Sequence, residues 1–147
     1  MKITICGSIA FYNEMLDVKQ KLEELGHEVK LPPHEVQDAS GVMIPVKEFY
    51  ARRKVAGLDE TWIWDRKGEA IRWHFQKVEW SDAIIVLNYD KNGVSDYIGA
   101  NTLLEIGLAF HLNKKIFLLH SIPEMSYKEE ILGMKPVVLK GDLEQIE

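Results

Sequence analysis

The chain has 147 residues, 46% of them hydrophobic, with 18 Lys plus Arg against 23 Asp plus Glu, a formal net charge of −5 and one cysteine. That length fits one compact domain over residues 1–147, since domains of roughly 100–150 residues carry a single core. The acidic balance argues against polymeric nucleic acid and membrane surfaces, the lone Cys6 excludes a disulfide scaffold, and no apolar run approaches the roughly 20 residues of a membrane span.

The N-terminal apolar run is too short for a signal peptide, so a reducing, cytoplasmic location is expected. Lys2 to Cys6 is β-branched and is followed by Gly7-Ser8, which predicts a buried first strand and a tight turn. Phe11, Met15, Val18, Leu22 and Leu25 then recur at helical spacing, and Gly26 closes the run as a C-cap. Glu28 to Leu31 reads as a second strand, stopped by Pro32-Pro33.

From about residue 32 to 65 the periodicity is lost, apart from a short helix over Val46 to Val55, and the segment reads as an irregular insertion. Long structureless connections are uncommon in compact domains and often serve as lids or binding loops. Its Arg52-Arg53-Lys54 run fits either a phosphate contact or a solvated helix face, and Trp62 and Trp64 fit base stacking or packing.

A second helix is predicted from about Arg66 to Trp80, with Ile71, His74, Phe75 and Val78 on one face. Ala83 to Asn88 is continuously apolar, as in a central parallel strand covered on both faces. A loop with turn chemistry at Asn92-Gly93 leads into an apolar helix from Asn101 to Leu112. A fourth strand (Lys115 to His120), a short helix near Tyr127 to Leu132 and a fifth strand (Val137 to Leu139) complete the pattern.

Strands alternating with helices imply an α/β, flavodoxin/Rossmann-like three-layer sandwich around a five-stranded parallel sheet, with 2-1-3-4-5 as the expected order. Ligands in such sheets bind outside the carboxyl ends of the strands at the switch point. That rule selects Gly7, Ser8 and Ile9, the loop from Asn88 and Asp90 to Gly99 and Asn101, and the loop after His120. Gly7 permits close backbone approach and a helix N-terminus attracts phosphate, although a tight turn alone also accounts for the glycine.

Glu105 is the most informative residue, because it interrupts an otherwise apolar helix beside this crevice. Burying a lone carboxylate costs several kcal/mol. Proximity to the helix N-terminus is expected to offset part of that cost and keep the group ionised, as a nucleophile requires. A glutamate that simply satisfies the helix dipole is the other reading. Asn101 and Thr102 fit either capping or ligand binding.

The segments ITICGSIAFY, SDAIIVLNYD and GANTLLEIGLAFHLNKKIFLL resemble the nucleoside 2-deoxyribosyltransferase-like family, which includes nucleoside monophosphate N-glycosidases. The hallmark is an acidic residue in E-[IL]-G-x-A, one turn into the helix that follows the third strand's loop, and the matching segments cover about a third of the chain. The resemblance implies cleavage or transfer of the N-glycosidic bond of a (2-deoxy)nucleoside or nucleoside 5′-monophosphate through a covalent glycosyl intermediate on Glu105. It also implies that Tyr12 orients Glu105 or the sugar, that no cofactor is needed, and that the protein is a homodimer or larger homo-oligomer.

Two positions depart from the family pattern. Where relatives carry an Asp on the preceding helix this chain has His74, which fits a proton donor to the leaving base or a hydrogen-bonded core residue. Gly99 and Asn101 stand where relatives carry Asp and Gly, so Asp96 becomes the nearest candidate for the sugar hydroxyls, or else an exposed turn residue. The spacing of the five histidines offers no metal motif, and no metal is expected.

Two other readings compete. One is a nucleotide phosphoribohydrolase of the lysine-decarboxylase-like type, faintly echoed by Tyr97 to Glu105. The other is a nucleotide-binding or signalling domain that has lost catalysis.

Overall fold

The computed structural model describes residues 1–147. Five strands form a parallel sheet: β1 (Lys2–Gly7), β2 (Glu28–Lys30), β5 (Ala83–Leu87), β6 (Lys115–Leu118) and β7 (Val137–Val138), arranged β2-β1-β5-β6-β7. Counted within this sheet alone, the order is the expected 2-1-3-4-5. The two intervening strands, β3 (Glu35–Gln37) and β4 (Met43–Pro45), make a separate antiparallel hairpin inside the insertion.

Strand alternation sorts the core into two layers. Ile3, Ile5, Ile85 and Leu87 face α1 (Tyr12–Glu24), where they meet Met15, Val18 and Leu22. Cys6, Ile84, Val86 and Leu118 face the other side, against Val78 of α3 (Thr61–Trp80), Ile106 and Ala109 of α4 (Ala100–His111) and Ile131 of α5 (Lys128–Gly133). All five residues of β5 are buried, as expected of a strand covered on both faces.

Several boundaries differ from the sequence expectation. Leu25 closes α1 but stands exposed, because it lies past the last turn that meets the sheet. The insertion is ordered rather than irregular: its hairpin is followed by α2 (Val46–Val55), and Val36, Ile44, Phe49 and Ile63 form a third small core. Helix α3 accordingly begins at Thr61, not Arg66. Its first turns pack on the insertion while its last turns pack on the sheet, so no single apolar stripe marks the whole helix.

Neither Asn101 nor Thr102 caps α4; Gly99 occupies the N-cap and no side chain bonds the first turn. No helix is long and apolar enough to cross a membrane.

Candidate active site

A cavity of about 310 Å³ opens at the carboxyl end of β1, between α2, α3 and the start of α4. Its position is the switch point of the sheet, between β1 and β5. Gly7 forms one edge with φ +155, and a Cβ there would stand 2.9 Å from the Leu87 carbonyl oxygen, so backbone conformation and close approach both require glycine. Ser8 follows as the N-cap of a short 3-10 turn, its Oγ accepting from the Ala10 N–H.

Glu105 lies in the cavity wall, in the second turn of α4. Facing it from α3, His74 Nε2 is 3.7 Å from Glu105 Oε2. Beneath both, the Cys6 side chain enters from β1. Both His74 ring nitrogens and Glu105 Oε2 are buried without a hydrogen-bond partner.

This environment overturns the expectation of an ionised Glu105. Burial pushes its carboxyl up to about 8, with the neighbouring Cys6 thiol and the Lys67 ammonium pulling the other way. The helix N-terminus does not rescue the anion, because its influence fades within the first turn and Glu105 lies beyond it. His74 is pushed down to about 3, chiefly by burial and then by Lys77, with the Ile5 carbonyl opposing but outside good hydrogen-bond geometry. The ring is therefore neutral near pH 7 and has no imidazolium proton to donate to a leaving base.

The remaining charged walls are all cationic. Arg53 and Lys54 come from α2, Lys67 from α3 and Lys91 from the loop after β5; Glu105 is the sole carboxylate among the lining residues. None of these four cations belongs to an ion pair. Aromatic faces hold three of them instead: Lys54 and Lys91 stand 4.8 and 5.3 Å from the Tyr50 ring centroid, Lys91 is 5.1 Å from Tyr97, and Arg53 lies 5.4 Å from Phe49. Lys91 Nζ also donates to Ser8 Oγ at 2.8 Å.

Arg53 Nε is buried without a partner. Burial, and then the charge of Arg53, lower Lys67 to about 8. Crowded cations without counter-ions make a surface prepared for an anion.

Of the residues singled out from sequence, Gly7, Ser8, Ile9, Arg53, Lys54, His74, Gly99, Asn101, Thr102 and Glu105 line this cavity. Tyr12, Arg52, Trp62, Trp64, Asn88, Asp90 and Asp96 do not. Tyr12 packs beside the core that faces α1. Asn88 instead knits loops together, accepting from the His120 N–H and donating to the Ser121 carbonyl. Asp90 accepts from the Asp96 N–H, and Asp96 takes a positive φ of 57°, which marks a braced turn.

Sequence reasoning missed Lys67, Lys91 and Tyr50 altogether. Lys91 lies in the loop that the switch-point rule selects, whereas the only signal for Tyr50 and Lys67 was aromaticity and charge on segments that meet in space.

No protein-family model matches the chain, and no curated protein matches it significantly. Among solved structures, it is similar to a 2-deoxyribosyltransferase from Bacillus psychrosaccharolyticus, with TM-score 0.50 and 16% identity over 80% of this chain and 71% of that one. It is also similar to the Clostridium botulinum CMP N-glycosidase BcmB, with TM-score 0.49 and 20% identity over 94% of this chain and 85% of that one. The deoxyribosyltransferase likeness establishes a shared fold.

Proposed function

We propose that the protein cleaves or transfers the N-glycosidic bond of a nucleoside 5′-monophosphate, with Glu105 as the nucleophile. One observation carries the reading: a single buried carboxylate stands in a cavity whose other charged walls are four unpaired cations. A nucleotide is complementary to both parts, because its phosphate needs cations and N–H or O–H donors while its anomeric carbon needs a carboxylate.

In this reading Glu105 attacks the anomeric carbon, the C–N bond breaks, and the base departs with the bonding pair and takes up a proton from solvent water. Water or a second base then displaces Glu105 from the glycosyl ester. Arg53, Lys54 and Lys91 receive the phosphate, assisted by Ser8, whose Oγ accepts from Lys91 and Ala10 and keeps its own O–H to donate. Lys67 favours the carboxylate form of Glu105, and His74 positions that carboxylate.

A homo-oligomer is part of the proposal, and the large apolar side chains of Trp73 and Phe110, exposed on α3 and α4, are available to such an interface.

The test is incubation with ribo- and deoxynucleosides and their monophosphates, followed by chromatography for free base. Base should be released from a monophosphate, and Glu105→Ala should abolish release. Release that survives the substitution would remove Glu105 from its role. A binding domain without catalysis is the second reading, favoured by the raised pKa of Glu105. Tight nucleotide binding without turnover at any pH from 6 to 9 would establish it.

A further inference from the structure

Cys6, His74 and Glu105 come from three different elements, yet one donor atom from each lies within 4.8 Å of the other two. Buried polar atoms in folded proteins nearly always have partners. Here both nitrogens of His74, itself 4% exposed, and one oxygen of Glu105 have none. Two unpartnered atoms, His74 Nε2 and Glu105 Oε2, meeting beside a buried thiol make a prepared ligand set rather than an ordinary packing defect.

We propose that Cys6 Sγ, a ring nitrogen of His74 and the Glu105 carboxylate bind a divalent cation of the zinc class, with the fourth position open to the cavity. The donor types decide the class: thiolate, imidazole and carboxylate together suit zinc, whereas calcium and magnesium take oxygen ligands. Bonds of about 2.0–2.3 Å in a tetrahedron separate the donors by roughly 3.3–3.6 Å. His74 Nε2 and Glu105 Oε2 are already 3.7 Å apart. Bringing the loosest pair from at most 4.8 Å into range requires movement of about 1 Å, within the scope of side-chain rotation.

Binding releases the proton of the Cys6 thiol and any proton on Glu105, so that two anionic ligands balance the two positive charges of the metal. That balance matters because Lys67 and Arg53 stand in the same cavity. A carboxylate that ligates the metal cannot attack an anomeric carbon. Metal and glycosyl transfer at Glu105 therefore exclude one another, and the metal would act as an inhibitor of the proposed reaction.

The experiment is titration of the chelator-treated 147-residue protein with Co²⁺ in the absence of any nucleotide. One equivalent should produce the intense visible bands of tetrahedral Co²⁺ together with a thiolate-to-cobalt charge-transfer band, and Zn²⁺ should abolish both. Cys6 is the sole cysteine, so a charge-transfer band in the unmodified protein reports this site without any variant. Cys6→Ser should remove the band and weaken Zn²⁺ binding at least about tenfold, as expected for loss of a metal ligand.

Weak pink octahedral spectra without charge transfer would overturn the proposal, as would Zn²⁺ affinity that Cys6→Ser leaves unchanged. Because the readout needs no turnover, failure of metal binding and failure of the glycosidic reaction are separate results.

Discussion

His74 Nε2 stands 3.7 Å from Glu105 Oε2, and neither atom makes a hydrogen bond. Burial drives the two groups in opposite directions along the pH scale yet leaves both neutral near pH 6, with Glu105 raised to about 8 and His74 lowered to about 3. A neutral pair at this separation avoids the desolvation cost of a buried ion pair. It also means that a reaction needing the Glu105 carboxylate must first remove a proton.

The activity of metal-free protein should therefore rise with pH. A profile of kcat/KM for base release should climb along an ascending limb with an apparent pKa near 8, the value to which burial raises Glu105. Lys67 favours the anion, so Lys67→Met should move that limb upward by up to about one unit. A limb near the ordinary carboxylate range would show that Glu105 is solvated in the working enzyme.

Stability should follow the same pair. The unfolded chain protonates histidine near 6.5 but native His74 only near 3, so stability present above 6.5 is lost as pH falls through that window. Glu105 is raised from 4.5 to about 8, so its stabilising contribution is complete below 4.5 and is lost as pH rises towards 8. Between 4.5 and 6.5 the two slopes oppose, giving a plateau with a decline of a few kcal/mol on either side. Urea denaturation across pH should show it in the presence of a chelator. His74→Asn should flatten the acid limb and Glu105→Gln the alkaline one.

A substitution at Arg53 tests the proposed phosphate recognition separately from the chemistry. Loss of a charge-assisted contact of about 1.5–3 kcal/mol corresponds to roughly 10–100-fold in affinity. Arg53→Ala should raise KM for a nucleoside monophosphate by that factor and leave the parent nucleoside nearly unaffected. An equal effect on both would place the phosphate elsewhere.

Gly7→Ala tests the cavity edge. Its Cβ would meet the Leu87 carbonyl oxygen at 2.9 Å on a backbone at φ +155, which should cost roughly 1–3 kcal/mol in denaturant unfolding. Base release should fall further than the stability loss explains, because the strand end that presents Ser8 must shift.

Much of the fold was legible along the chain because its signals are local. The apolar run Ala83–Leu87 is wholly buried, the Met15/Val18/Leu22 stripe packs on the sheet, and Val46–Val55 forms the expected helix. The insertion was not legible, because its small core joins Val36, Ile44 and Phe49 of three short elements to Ile63 in the first turn of α3. No window of sequence contains enough of that pattern to register as periodic.

The candidate site divides in the same way. Sequence by itself singled out Glu105, because a carboxylate within an apolar helix is anomalous wherever that helix packs. It also placed Gly7 and Ser8 at the right end of the sheet, through the alternation of strands and helices, while His74 entered only through the family resemblance. Only the tertiary structure decided that Glu105 is buried beyond help from its helix dipole and that Cys6 lies against it. Only the tertiary structure, too, surrounds it with Arg53, Lys54, Lys67 and Lys91. Protonation and charge complementarity depend on distance and desolvation in three dimensions, and neither quantity exists until the chain has brought β1, α2, α3 and α4 together.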